Sequence, residues 1–171
     1  MRIFNLILMG ALLAAPVTQA QQPLTKQKCA LVFPGADACT NVRVSGDQLL
    51  GDAWDQGYAP GEEKFLGHVI QRSLTIDSYE FNVLVGLATG GAITSVVIEN
   101  ARDIAPEFLA QFEGKKAGDE FAIARQPEDL LYVPVMIKAM KGKMELSETI
   151  ARTVHEMLLT ARQMFQSDTR S

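Results

Sequence analysis

Between Phe65 and Glu99 the chain carries three runs that a β-sheet accommodates best. Phe65 to Leu74 and Tyr79 to Ala88 are rich in Phe, Val, Ile and Leu, and Ala92 to Glu99 resumes the pattern after Thr89-Gly90-Gly91. β-Branched and aromatic side chains favour extended backbone, and a glycine turn of this kind joins antiparallel neighbours. The second and third runs are therefore predicted to form a hairpin, with Phe65–Leu74 as a further strand. Upstream, Asn41 to Gln48 alternates Val42 and Val44 with polar residues and turns at Gly46-Asp47. Cys29 to Phe33 is a short apolar run closed by Pro34-Gly35, and Gln21 to Lys28 reads as a polar lead-in. Gly51 to Glu63, with Gly57, Pro60 and Gly61, reads as a loop carrying Trp54 and Tyr58.

After the hairpin the period changes. Pro106 to Phe112 places Phe108, Leu109 and Phe112 on one helical face, with proline in the first turn and Gly114 as the stop. Glu120 to Ala124 reads as a short strand, and Pro134 interrupts Asp129 to Ala139 whether that segment is helix or strand. Leu146, Ile150, Val154, Met157, Leu158, Ala161 and Phe165 then recur at helical spacing. Ser147 is the N-cap this pattern suggests. Strands followed by helices imply an α+β fold, a twisted antiparallel sheet with helices packed on one face.

The N-terminus reads as a secretory signal over residues 1–20. Met1-Arg2 supplies a positive start, Ile3 to Ala15 an apolar run, and Thr18-Gln19-Ala20 a small-residue cleavage site. That thirteen-residue run, broken only by Asn5 and Gly10, spans about 20 Å of helix, short of a hydrocarbon core of ~30 Å. Removing 20 of the 171 residues leaves 151, read as one domain over 21–171, and loss of Arg2 moves the charge from −4 to −5. No later apolar stretch is long enough to span a bilayer, so direct membrane insertion after cleavage is not expected. The acidic balance, without a basic stripe, argues against nucleic acid as a partner. Export makes the location periplasmic, and there Cys29 and Cys39, the two cysteines of the chain, suit a disulfide better than a metal site.

Side chains able to do chemistry are few. His68 lies in the Phe65–Leu74 strand and reads as a surface or edge histidine. His155 falls on the flank of the last helix, and neither histidine accompanies a nucleophile motif. Asp52, Asp55, Glu62 and Glu63 cluster without the spacing of a calcium loop. The best candidate is the start of the last helix, where Lys138, Lys141, Gly142 and Lys143 precede Ser147 and Thr149. Unpaired N–H groups and a partial positive charge at a helix start favour an anion, and two hydroxyls with nearby lysines suit a phosphate.

Tyr79 to Glu99, YEFNVLVGLATGGAITSVVIE, resembles the core hairpin of the FMN-binding domain. That domain occurs in exported flavoprotein subunits of Rnf-type and sodium-pumping NADH:quinone reductases and in the periplasmic part of NosR-type regulators. Phe108-Leu109-Ala110-Gln111-Phe112-Glu113-Gly114-Lys115 is similar to its Phe-Leu-x-Gln-Phe-x-Gly-Lys segment. Phe33-Pro34-Gly35-Ala36-Asp37 and Leu66-Gly67-His68-Val69 are similar to two segments that precede the family's core. The resemblance covers about Val32 to Leu159.

The resemblance implies an electron-transfer component of a membrane-associated redox system, an electron carrier or accessory protein rather than a stand-alone enzyme. Its cofactor would be FMN, and its partner a membrane redox complex or another exported redox protein. In the family a Ser-Gly-Ala-Thr-type motif opens the last helix, and its threonine carries FMN through a phosphoester. Set against Leu146-Ser147-Glu148-Thr149-Ile150, the motif puts Thr149 and Ser147 on the phosphate with Lys141, Gly142 and Lys143 beside them. Glu148 then stands where Gly-Ala is expected, adding bulk and negative charge next to a phosphate. The alternative is a flavin-free accessory or protein-interaction module of the same fold.

Overall fold

The computed structural model describes residues 23–76, 79–132 and 136–168; the segment expected to be a signal, residues 1–20, and Pro134 lie outside them. Five strands form one antiparallel meander in chain order: β1 (Ala38–Ser45), β2 (Gln48–Asp55), β3 (Lys64–Ile76), β4 (Tyr79–Leu87) and β5 (Ile93–Glu99). Among the described residues four helices accompany it, α1 (Lys26–Val32), α2 (Pro106–Ala110), α3 (Asp129–Tyr132) and α4 (Met144–Asp168), with a small parallel pair of β6 (Ile123–Ala124) and β7 (Ile137–Lys138). The fold is thus α+β around an antiparallel sheet, with the expected strand–turn–strand hairpin at β4–β5.

Three expectations need correction. Residues 26–32, expected as the end of a polar lead-in and a short apolar run, are helical, because Thr25 caps α1 by accepting the Lys28 N–H at 3.4 Å. That helix covers the second face of the sheet, burying Cys29, Val32 and Phe33 against Leu49, Ala53, Val69 and Leu84. The sheet is therefore covered on both faces. Gly51–Asp55, expected as loop, completes β2. There Trp54 pairs with Ala38 and Phe65, and only the remainder, including the exposed Tyr58, is a connection. Alternation failed as a guide because β2 is buried on both sides over most of its length.

The main core lies on the other face, where Leu50, Ile70, Val83, Val85, Leu87, Val96 and Ile98 meet α2 and α4. Burying that many aliphatic side chains, each contributing about 1.5–3 kcal/mol, is the main force holding α4 to the sheet. Arg72 on β3 bonds Glu156, and His68 on β3 packs on Phe165, so α4 runs antiparallel along the middle strand. Burial opposes the Arg72 charge, but its bonds to Glu156 and Asp47 more than offset this and hold its pKa above the usual value. Cys29 and Cys39 form the expected disulfide, with Cα atoms 6.1 Å apart, tying α1 to β1.

Candidate functional site

Gln111 shapes the approach to α4. Its side-chain amide accepts the Lys138 N–H at 2.7 Å and donates to the Lys138 carbonyl at 3.0 Å, holding β7 in place. A turn follows, closed by the Lys143 N–H donating to the Met140 carbonyl at 3.0 Å, with Gly142 at φ 72° in the position that favours glycine. The helix then begins at Met144.

That start lies three residues before Ser147, so Ser147 is not the N-cap. Its hydroxyl accepts the Met140 N–H at 3.0 Å and donates to the Lys143 carbonyl at 2.7 Å, and the residue is fully buried. Its own N–H already bonds the Lys143 carbonyl. Thr149 is half-buried and stands beyond the first four residues, whose N–H groups a helix leaves open. Lys143 is spent on the Asp103 carbonyl at 2.7 Å, Glu148 pairs with Arg125 at 2.8 Å, and Lys141 is exposed. The structure therefore brings Lys141, Gly142 and Lys143 to the turn, but directs the Ser147 hydroxyl into the fold rather than toward a ligand.

The position of Gly142 bears on the flavin motif. A Ser-Gly-Ala-Thr sequence at the true start of α4 would place its glycine at the one residue of this turn with positive φ, Gly142. Lys141, Lys143 and Met144 then occupy the serine, alanine and threonine places. A thioether has no hydroxyl and cannot form a phosphoester, and Met144 is partly buried against the main core. In that register no hydroxyl is present to form a phosphoester, and in the register of Ser147 and Thr149 the serine hydroxyl is buried and bonded within the fold.

A second cluster was not anticipated. His68 is neither at the surface nor on an edge: it sits on the central strand, facing α4, with its side chain 20% exposed. Its direct cross-strand partner is Asp52, whose Oδ1 lies 2.7 Å from His68 Nδ1. Asp52 Oδ2 accepts from Asn41 Nδ2 at 2.8 Å, and Asn41 adopts φ 50° at the irregularity in β1. Since a carboxylate only accepts, Nδ1 carries the proton toward Asp52. Phe65 and Phe165 flank the imidazole at ring distances of 5.0 and 4.4 Å. The sequence places His68 in a strand and Asp52 in an acidic loop; only the β2–β3 register joins them.

The second histidine has a different task. His155 donates from Nε2 to the Ala117 carbonyl at 3.1 Å and stacks on Phe121 at 4.6 Å, which fixes the loop after α2 against α4. Between that loop, the β4–β5 turn and the C-terminal half of α4 lies an open cleft of about 400 Å³. Leu87, Leu158 and Phe165 supply its apolar wall, so Phe165 presents one side to the cleft and packs by another on His68. No group of three or more metal-ligating side chains occurs among the described residues, and none of the helices among them is long and apolar enough to cross a membrane. No protein-family model matches the chain, and no curated protein is found to be its relative.

Proposed function

We propose that the chain is a flavin-free accessory module of an exported redox system, an FMN-binding-type domain that works by binding rather than by carrying electrons. The observation that carries this reading is the start of α4. Its glycine turn precedes Met144, and the next hydroxyl, on Ser147, is buried and bonded on both sides. A phosphate bound by the Ser147 hydroxyl would have to displace a core hydrogen bond, and the neighbouring Glu148 would add like charge. The Cys29–Cys39 disulfide is compatible with an oxidising compartment and hence with the export signal.

The test is production with and without a flavin transferase, followed by a denaturing gel viewed for flavin fluorescence and by equilibrium dialysis against FMN. A colourless protein that retains no FMN supports the accessory role. A fluorescent band that disappears in Thr149→Ala would instead make the domain a covalent electron carrier.

A further inference from the structure

We propose that the cleft between α4, the β4–β5 turn and the loop after α2 binds a small amphipathic organic anion, one apolar ring-sized body bearing a single acidic group. Its volume of about 400 Å³ lies within the range of small-molecule sites, roughly 300–1,000 Å³. Leu87, Leu158 and Phe165 line it with apolar surface, while Lys116 and Arg162 stand at its border. Among the described residues neither cationic head group is paired with a carboxylate. The one acid in the lining, Asp119, has Oδ2 engaged by the Lys116 N–H at 2.7 Å. Two cations against one carboxylate leave an excess of positive charge here, on a chain whose net charge is −4. An acidic group with an apolar body matches both features of the lining.

The cleft is built rather than left over. His155 fixes the Ala117 carbonyl, and the Asp119 N–H donates to the Lys116 carbonyl at 2.9 Å, so the loop wall is held before any ligand arrives. Gly90 and Gly118 form part of the lining, and neither has positive φ. A Cβ at either would meet no atom within 4 Å. Neither backbone strain nor packing within the chain accounts for these glycines, whereas an occupant would. The site lies about 27 Å along α4 from Met144, at 1.5 Å per residue, so it is independent of what the helix start carries.

The experiment uses two fluorescent probes of similar body, 1-anilinonaphthalene-8-sulfonate and the uncharged N-phenyl-1-naphthylamine, titrated into protein with a cooperative thermal melt. The sulfonate is expected to bind saturably at one site, and about tenfold more tightly than the neutral probe, the effect of roughly one ion pair in such a setting. Gly118→Trp and Gly90→Phe should fill the cleft and abolish binding of both probes. The double variant Lys116→Gln, Arg162→Gln, altered only at exposed positions, should lower sulfonate affinity to that of the neutral probe and leave the latter unchanged. Unaltered sulfonate binding in either glycine variant, or equal affinity for both probes in the parent protein, would overturn the proposal.

Discussion

Asp52 Oδ1 lies 2.7 Å from His68 Nδ1 across the β2–β3 ladder, and the same carboxylate accepts from Asn41 at 2.8 Å. From β2 one acid thus satisfies donors on both neighbouring strands, β1 and β3, at the end of the sheet covered by Phe165. Removing it leaves the His68 donor, 20% exposed, without its acceptor, whereas the Asn41 amide lies on an exposed residue and can turn to water.

Asp52→Ala should therefore cost about 1–3 kcal/mol of unfolding free energy, and Asp52→Asn, which keeps one acceptor, about 1 kcal/mol or less. Urea unfolding measures both. A loss below ~0.5 kcal/mol for Asp52→Ala, the range of ordinary surface changes, would show that the triad contributes little.

Ser147 and Thr149 should separate cleanly. Ser147→Ala strands the Met140 N–H in the interior and is expected to destabilise by about 1–3 kcal/mol. Thr149→Ala, at a half-buried helical position, should stay within about 0.5 kcal/mol. The opposite order would mean that Ser147 is not the structural hydroxyl its bonds describe.

Reduction of the Cys29–Cys39 bond should lower stability by about 2–3 kcal/mol, because it frees α1 from β1 and relaxes the constraint on the unfolded chain. Cys29 is fully buried and Cys39 is not, so Cys29→Ser should be worse than Cys39→Ser by about 1 kcal/mol, the cost of a buried unpaired hydroxyl. Denaturant curves with and without reductant give the first figure, and the two variants give the second.

Gly67 offers a sharper test of the packing between sheet and α1. A Cβ there would collide with the Leu87 carbonyl oxygen and the Phe33 ring. The backbone oxygen belongs to the β3–β4 ladder and has nowhere to move. Gly67→Ala is expected to cost about 3 kcal/mol or more, at the upper end for overpacking. A melt indistinguishable from the parent would contradict the placement of Phe33.

The parts of the fold that were legible are those where one residue's neighbours in sequence decide its environment. β3, β4 and β5 are rich in Val, Ile, Leu and Phe, and α4 buries a stripe at helical spacing, so composition and pattern together located them to within a few residues. α1 was hidden because seven residues give less than two full periods, and because Lys28 looks like surface. In fact Lys28 is buried and donates to the buried Gln71 amide at 3.0 Å, a partner 43 residues away. Asp52 misled in the same way, since its partner is on another strand. At the candidate site, the lysines and Gly142 were found from sequence, but the helix start was set too late. Met144 and Glu145 carry no capping signal, and the first hydroxyl after the lysines, on Ser147, mimics one. Gln111 and the Met140–Lys143 turn, which set the true start, act through contacts that spacing does not reveal.

The most direct test of the flavin-free reading is the intact mass of the mature protein after co-production with a flavin transferase. The expected result is the mass of the disulfide-bonded polypeptide alone, with no increment. A species heavier by one esterified flavin mononucleotide, mapped by peptide analysis to Thr149 or any residue between Lys141 and Thr149, would contradict the account.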